Sequence, residues 1–242
     1  MTEEEWVAAE HPMVMLDHLD LIDAITDRKQ RLLDCACVLR IWHLLTDLAR
    51  SVVATAESYA DVQAELDEMI ELRGEVLSAV DTEIELNIQA ANTGVPRHIG
   101  NPNRSSALSA AAGVAWEYRG GTNPLGDVVN AMIAQGGLGD ERADHELVRQ
   151  LRFAELRHQI VLVREVFGNP FRPVEFSRDW LTDTAVLLAR TMYEAREFGA
   201  MPILADALQD AGCDNDDILD HCRGPGPHVR GCWVVDLILG KG

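Results

Sequence analysis

Apolar residues recur at steps of three and four along most of this chain, and that spacing constrains its fold more than any other feature. Between residues 140 and 167, one helix face is predicted from residues that follow one another at steps of three and four: Leu147, Leu151, Ala154, His158, Val161 and Glu165. We find no convincing strand pattern, and aromatic residues, which strands favour, make up only 5% of the sequence. The sequence therefore predicts an all-α fold, either a multi-helix bundle or an irregular α-solenoid of about ten helices, with no sheet.

Local signals mark where several helices begin. Thr2 and Glu5 form a capping box for a first short helix, and Pro12 stands where a second helix can start. Thr26 is the expected N-cap of a third helix. The apolar spacing extends that helix through the sequence RIWHLL and places Trp42 on its buried face.

A segment rich in glycine, proline and asparagine interrupts the pattern in the middle of the chain. It follows a long acidic helix expected over residues 61–91, and residues 92–106 are predicted to form an exposed loop. The region 92–139 is a possible boundary between two helical halves. Because each half alone would have a modest core, we expect a single domain over residues 1–242.

Prolines also shape the expected C-terminal part. Pro170 and Pro173 predict an extended crossing, since each disfavours helix in the residue before it. A last helix is expected over about residues 228–239, with Pro227 at its start and Gly240 as its C-cap.

Charge and hydropathy exclude several classes of partner. Forty acidic and 21 basic residues give a formal net charge of −19, which repels nucleic-acid phosphates. No apolar run reaches the roughly 18 residues of a membrane span, and the first residues lack the features of a signal peptide. We therefore expect a cytoplasmic protein that binds neither nucleic acid nor membrane. The five cysteines have no disulfide-framework spacing, so we expect reduced thiols.

The stretch HCRGPGPHVRGCW, residues 221–233, is the candidate site. His221, Cys222, His228 and Cys232 are residue types that bind zinc, and the Gly/Pro-rich turn could bring three of them together. His228 and Cys232 are four residues apart and would share a face of the expected last helix. A fourth ligand would come from another residue. The candidates are Cys213, Cys35, Cys37, His43 or a carboxylate.

Other interpretations of the Cys and His residues stay open. Buried cysteine behaves as a small hydrophobe, so residues 221–233 could equally be a tight turn packed into the core. Glu155 and His158 have the E-x-x-H spacing of a di-iron bundle, yet no second copy of that motif is present. No residue constellation identifies a catalytic mechanism, and we lean towards a protein that is not an enzyme.

Five stretches of the sequence resemble a bacterial family for which no activity is known. They are TEEEW, DRKQRLLDCACVLRIWHLL, FGNPFRPV, PILADALQDAGC and ILDHCRGPGPHVRGCWVVDLILGK. The similarity covers roughly half of the chain and leaves out residues 61–140. It implies one helical unit in which the N-terminal and C-terminal segments belong together.

These observations predict a helical protein-protein interaction or scaffold module with an unidentified protein partner. Its candidate contact surfaces are the acidic helix and the loop 92–106. The alternative is a zinc-binding protein or metalloenzyme built on the C-terminal Cys and His residues.

Overall fold

A computed structural model describes residues 1–93, 102–116, 124–135 and 145–241, and the predicted all-α fold is confirmed within them. These residues form twelve α-helices and two 3-10 turns, and none of them lies in a strand. No described helix combines the length and hydropathy needed to cross a membrane. The helices are α1 (Glu3–Val7), α2 (Pro12–Leu21), α3 (Asp27–Leu39), α4 (Asp47–Ala60), α5 (Leu66–Thr93), α6 (Pro102–Val114), α7 (Pro124–Gln135), α8 (His145–Phe167), α9 (Asp183–Ala195), α10 (Met201–Asp210), α11 (Asp216–Arg223) and α12 (Trp233–Leu239).

The helices form two compact units. Unit 1 contains Met1–Ala9, Met13–Lys29 and Ile160–Gly242, and unit 2 contains Glu10–Pro12 and Gln30–Gln159. The division falls within α2, α3 and α8, and the first and last segments of the chain belong to the same unit. The single-domain organisation stays a prediction.

Unit 1 has its core among the last four helices. Helix α9 packs on α10 and α12, and α11 packs on the same two helices. Asn215 caps α11 by accepting a hydrogen bond from the backbone N–H of Ile218 at 3.1 Å. The core side chains are Ala185, Ala189, Met192, Tyr193, Met201, Leu204, Ala205, Leu208, Cys213, Ile218, Leu219, Cys222, Cys232, Val234, Val235 and Ile238.

Unit 2 is a bundle that encloses a few polar side chains. Helices α4, α5 and α6 pack on one another, and α6 packs on α7. Buried Arg31 stacks on the ring of Trp116 at 4.0 Å and donates to the carbonyl oxygens of Val114 and Trp116. A polar group that is removed from water needs a hydrogen-bond partner inside the protein. These contacts supply such partners for the buried Arg31 guanidinium.

The predicted helix starts at the N-terminus are confirmed. The capping box of Thr2 and Glu5 opens α1, Pro12 begins α2, and the hydroxyl of Thr26 accepts from the N–H of Lys29 at the start of α3. The left-handed Gly240 that ends α12 is also present. Residues 168–177 after α8 are not helical, but residues 169–172 form a turn closed by a hydrogen bond from the Arg172 N–H to the Asn169 carbonyl oxygen, so this part of the crossing is not extended.

Other boundaries differ from the prediction because long-range packing overrides local spacing. Helix α3 ends at Leu39, so Ile41 becomes fully buried while Trp42 lies in a 3-10 turn with 40% of its surface exposed. The acidic segment does not continue as one helix from residue 61, since α5 begins at Leu66. The predicted loop 92–106 is wrong at both ends: α5 continues through Thr93, and residues 102–106 belong to α6. Its residues 94–101 lie outside the described part.

The last helix also begins later than predicted. Residues 224–232 are not helical, and α12 starts at Trp233 rather than near Pro227. Two prolines in this connection disfavour helix in the residues before them, and Gly226 adopts the left-handed conformation with φ 74°. His228 therefore lies in a loop, and the prediction that His228 and Cys232 share a helix face is wrong.

Candidate metal centre and the adjoining cavity

Four side chains of unit 1 bring metal-binding atoms together. Glu165, His221, His228 and Cys232 each offer one donor atom, and these four atoms lie within 4.8 Å of one another. Three of them were predicted from the sequence, and the fourth is a carboxylate from α8. We call this set the four-residue cluster.

Three parts of the chain position the cluster. Glu165 is in the last turn of α8, His221 is in α11, and the other two members belong to the connection 224–232. Gly226 is required in that connection, because a Cβ at its position would lie 2.8 Å from the backbone nitrogen of His228. The loop can thus turn back sharply only with glycine there.

The Glu165 carboxylate is the centre of the cluster. Its Oε1 lies 3.1 Å from Nδ1 of His228, and its Oε2 lies 3.3 Å from Nε2 of His221. The backbone N–H of Val229 donates to Oε1 at 3.4 Å. The same Nε2 of His221 lies 3.2 Å from Sγ of Cys232. Glu165, His228 and Cys232 are almost completely shielded from water.

One nitrogen of the cluster has no hydrogen-bond partner. Nε2 of His228 is buried, and no described residue pairs with it. An unpaired buried polar atom costs about 1–3 kcal/mol. Hydrogen bonds among the described residues therefore do not satisfy the cluster completely.

Burial shifts the pKa values of Cys232 and His221, the two cluster members whose Sγ and Nε2 atoms are in contact. It raises the pKa of the Cys232 thiol well above its usual range, and the nearby Glu165 charge raises it further. Burial lowers the pKa of His221, although the Glu165 carboxylate opposes this shift. Without a cation, the cluster therefore favours a neutral thiol and a neutral imidazole.

The remaining candidate ligands lie outside the cluster. Cys222 is buried in the unit 1 core, where burial raises its pKa to about 12, and Cys213 is buried in the same core. Cys35 belongs to unit 2, where its thiol points to the carbonyl oxygen of Val53 at 3.9 Å. The structure therefore unites His221, His228 and Cys232 but not Cys222, Cys213 or Cys35.

Glu155, the acidic residue of the E-x-x-H step, has a different partner. Both of its oxygens accept hydrogen bonds from the guanidinium of Arg40, at 2.9 to 3.0 Å. This carboxylate is occupied in a buried ion pair, which leaves the di-iron hypothesis without support.

Sequence analysis missed Glu165 as a ligand candidate. The residue follows Val161 by four positions and therefore lies on the apolar stripe of α8, where a charged side chain needs a buried partner. A charged residue on the apolar face of a helix was the available signal for a buried site. The spacing along α8 did not indicate which residues of the rest of the chain face Glu165.

A cavity of about 650 Å³ adjoins the cluster within unit 1. His221 and Trp233 form part of its wall, together with Trp6 and Phe167. Gly168 permits this packing, because it adopts φ 67° and a Cβ there would lie 3.3 Å from the Trp233 indole. The cavity therefore reaches the cluster through the His221 ring.

No protein-family model, curated protein or solved structure matches this chain. The functional argument therefore rests on the geometry of unit 1.

Proposed function

We propose that this protein binds a zinc ion through Glu165, His221, His228 and Cys232. The observation that supports the proposal is the convergence of one donor atom from each residue within 4.8 Å. The ion would tie the end of α8 to α11 and to the connection before α12. Its role is structural, since four protein donors complete a tetrahedral shell and leave no open position.

The donor set suits zinc in both chemistry and spacing. Thiolate, imidazole and carboxylate are all zinc ligands, with metal-donor distances of about 2.0–2.3 Å. Tetrahedral donors at such distances lie roughly 3.3–3.6 Å apart. The contacts of Glu165 with the two histidines and of His221 with Cys232 are 3.1 to 3.3 Å. Small side-chain movements would therefore create the coordination shell.

Zinc also compensates for the cost of assembling these groups. The cluster must lose a thiol proton next to the Glu165 carboxylate, and a dication offsets both negative charges. Structural zinc binding contributes about 10–16 kcal/mol near neutral pH in small zinc-dependent peptides. Zinc binding would break hydrogen bonds that the ligand side chains form with one another, and the loss of each costs only about 0.5–1.5 kcal/mol. This cost is much smaller than the free energy that zinc binding supplies.

The test is elemental analysis of the full chain purified without chelator, with Cys232→Ala compared with Cys222→Ala. Both cysteines are buried in unit 1, but only Cys232 belongs to the cluster. We expect about one zinc per chain in the wild type and in Cys222→Ala, and a loss of zinc in Cys232→Ala. A chelator should lower the melting temperature of the wild type and leave that of Cys232→Ala unchanged.

Two results would contradict the proposal. One is a wild-type chain that takes up no zinc when titrated against a chelating indicator dye. The other is equal zinc loss from Cys222→Ala and Cys232→Ala, since that pattern would indicate general misfolding rather than loss of a ligand.

The interaction-module function stays a prediction, as does the cytoplasmic location. Of its two candidate surfaces, α5 exposes Leu77, Ile84 and Ile88 along one face. Such an apolar stripe is typical of a helix that contacts another helix.

A further inference from the structure

The cavity of unit 1 has the size and lining of a small-molecule site. Its volume of about 650 Å³ lies within the range of ligand pockets, which combine apolar walls with a few polar groups. Phe167 and Trp233 supply aromatic surface, and Val174 and Leu237 add aliphatic surface. The walls can therefore contact an apolar or aromatic molecule.

Asp236 and Arg172 of the lining already form ion pairs, in part with residues outside it. Both oxygens of Asp236 accept hydrogen bonds from Arg28, at 2.6 and 3.0 Å. Arg172 pairs with Glu3 and with Asp217. These groups contribute little net charge to the cavity.

Two cations of the lining, Lys29 and Arg164, are different. Neither forms an ion pair with a carboxylate of the described residues. The Lys29 ammonium lies 5.7 Å from the centre of the Phe167 ring, and Asp236, the acid that most favours its charge, is already held by Arg28. One guanidinium nitrogen of Arg164, Nη2, donates hydrogen bonds to the carbonyl oxygens of Trp6 and Val7, which carry no charge.

These cations lose hydration without gaining an anion. Burial lowers the pKa of Lys29, which means that the cavity penalises its positive charge. In a chain with a formal net charge of −19, acidic side chains are plentiful, yet none of the described ones pairs with these two. The remaining acid of the lining, Asp220, is exposed to solvent.

We infer that the cavity binds a small organic carboxylate with an apolar or aromatic body, whose carboxylate contacts Lys29 and Arg164. A neutral ligand would leave both cations unpaired, and a bare inorganic anion would leave the aromatic walls unfilled. The inference goes beyond zinc binding and needs no metal, because neither cation belongs to the four-residue cluster.

The test is calorimetric titration of the full chain with three probes: naphthalene-2-carboxylate, its neutral amide, and inorganic phosphate. We expect the carboxylate to bind at least about tenfold more tightly than the amide, because a charge-assisted hydrogen bond is lost in the amide. Phosphate should bind more weakly than the carboxylate, because it cannot contact the apolar walls.

Variants assign the binding to the two cations. Lys29→Met and Arg164→Gln keep much of each side chain's length and remove its charge, and each should weaken carboxylate binding by about tenfold. The matched control is Arg190→Gln, since Arg190 is an exposed residue of α9 outside the lining. It should bind the carboxylate as the wild type does.

Equal affinity for carboxylate and amide would overturn the inference, and so would an absence of carboxylate binding. Wild-type affinity in both cation variants would overturn it as well, because the anion would then bind elsewhere. Zinc content is measured separately in each sample, so a failure of the zinc proposal is distinguishable from a failure of this one.

Discussion

Trp233 donates its indole N–H to Nδ1 of His221 at 3.1 Å. The neutral His221 ring therefore carries its proton on Nε2, the nitrogen that faces Glu165 and Cys232. Coordination through Nε2 moves this proton to Nδ1, which can then no longer accept from Trp233. Zinc binding and the Trp233 hydrogen bond thus compete for the same ring.

This competition predicts tighter zinc binding by Trp233→Phe. Phenylalanine keeps an aromatic ring against Gly168 but has no N–H to donate to His221. Because no hydrogen bond must be broken, we expect zinc affinity to rise about two- to tenfold, which corresponds to about 0.5–1.5 kcal/mol. Competition with a chelating dye measures the change. Trp180→Phe, at an aromatic contact with Phe176, is the control, and weaker zinc binding by Trp233→Phe would contradict the prediction.

Gly168→Ala tests whether the left-handed backbone conformation at residue 168, beside the cavity, requires glycine. Alanine is strained at φ 67°, and its Cβ would crowd the Trp233 indole at 3.3 Å. We expect a loss of about 1–2 kcal/mol in the free energy of unfolding from the left-handed conformation alone. Urea denaturation followed by circular dichroism provides the measurement.

Gly74→Ala is the matched control for that substitution. Gly74 lies within α5, and a Cβ there meets nothing within 4 Å. Alanine should therefore stabilise the helix by about 0.5–1 kcal/mol. If both substitutions changed stability in the same direction, the conformational argument for Gly168 would be wrong.

The sequence was sufficient to predict the helical fold and three of the four cluster residues. Helical spacing and caps depend on neighbouring residues, so the starts of α1, α2 and α3 could be read locally. Glu165 could not be identified in this way, because its partners lie 56 to 67 positions further along the chain. The conformation of the connection 224–232 determines which residues contact the Glu165 carboxylate.

Cys222 and Cys232 illustrate the same limit. Their spacing within residues 221–233 made both plausible zinc ligands. Both are buried in the unit 1 core, but only Cys232 lies beside His221. The end of α3 is a second case: Arg40 and Ile41 leave the helical pattern when one pairs with Glu155 and the other enters the core. Such choices depend on tertiary contacts that periodicity does not encode.

The Arg40 and Glu155 ion pair predicts strongly unequal effects of single and double substitutions. Glu155 has 1% of its side chain exposed and Arg40 has 24%, so Glu155→Ala leaves a partly buried Arg40 charge without its partner. We expect a loss of about 1–3 kcal/mol in the free energy of unfolding. Replacing both residues with methionine should restore much of that loss, because no charge remains to be buried. Urea denaturation compares the two, and a double variant no more stable than Glu155→Ala would contradict this account.

Asp34 predicts how the stability of unit 2 changes with pH. Burial raises its pKa from 3.8 to about 7, although Gln30 and Trp116 donate hydrogen bonds to its oxygens and Arg31 is nearby. The folded chain therefore holds this proton at pH values where the unfolded chain has lost it. The stability that Asp34 contributes is fully present below about pH 4 and is lost as pH rises through about 7.

Asp34→Asn should remove this dependence, because asparagine does not titrate and can keep both contacts if the Gln30 amide turns over. The wild-type free energy of unfolding should fall relative to the variant by on the order of 2–3 kcal/mol between about pH 5 and pH 8. Urea denaturation at the two pH values measures the difference. Asp81→Asn, at an exposed position of α5, should retain the wild-type pH dependence. A constant difference between wild type and Asp34→Asn would show that Asp34 is ionised throughout this range.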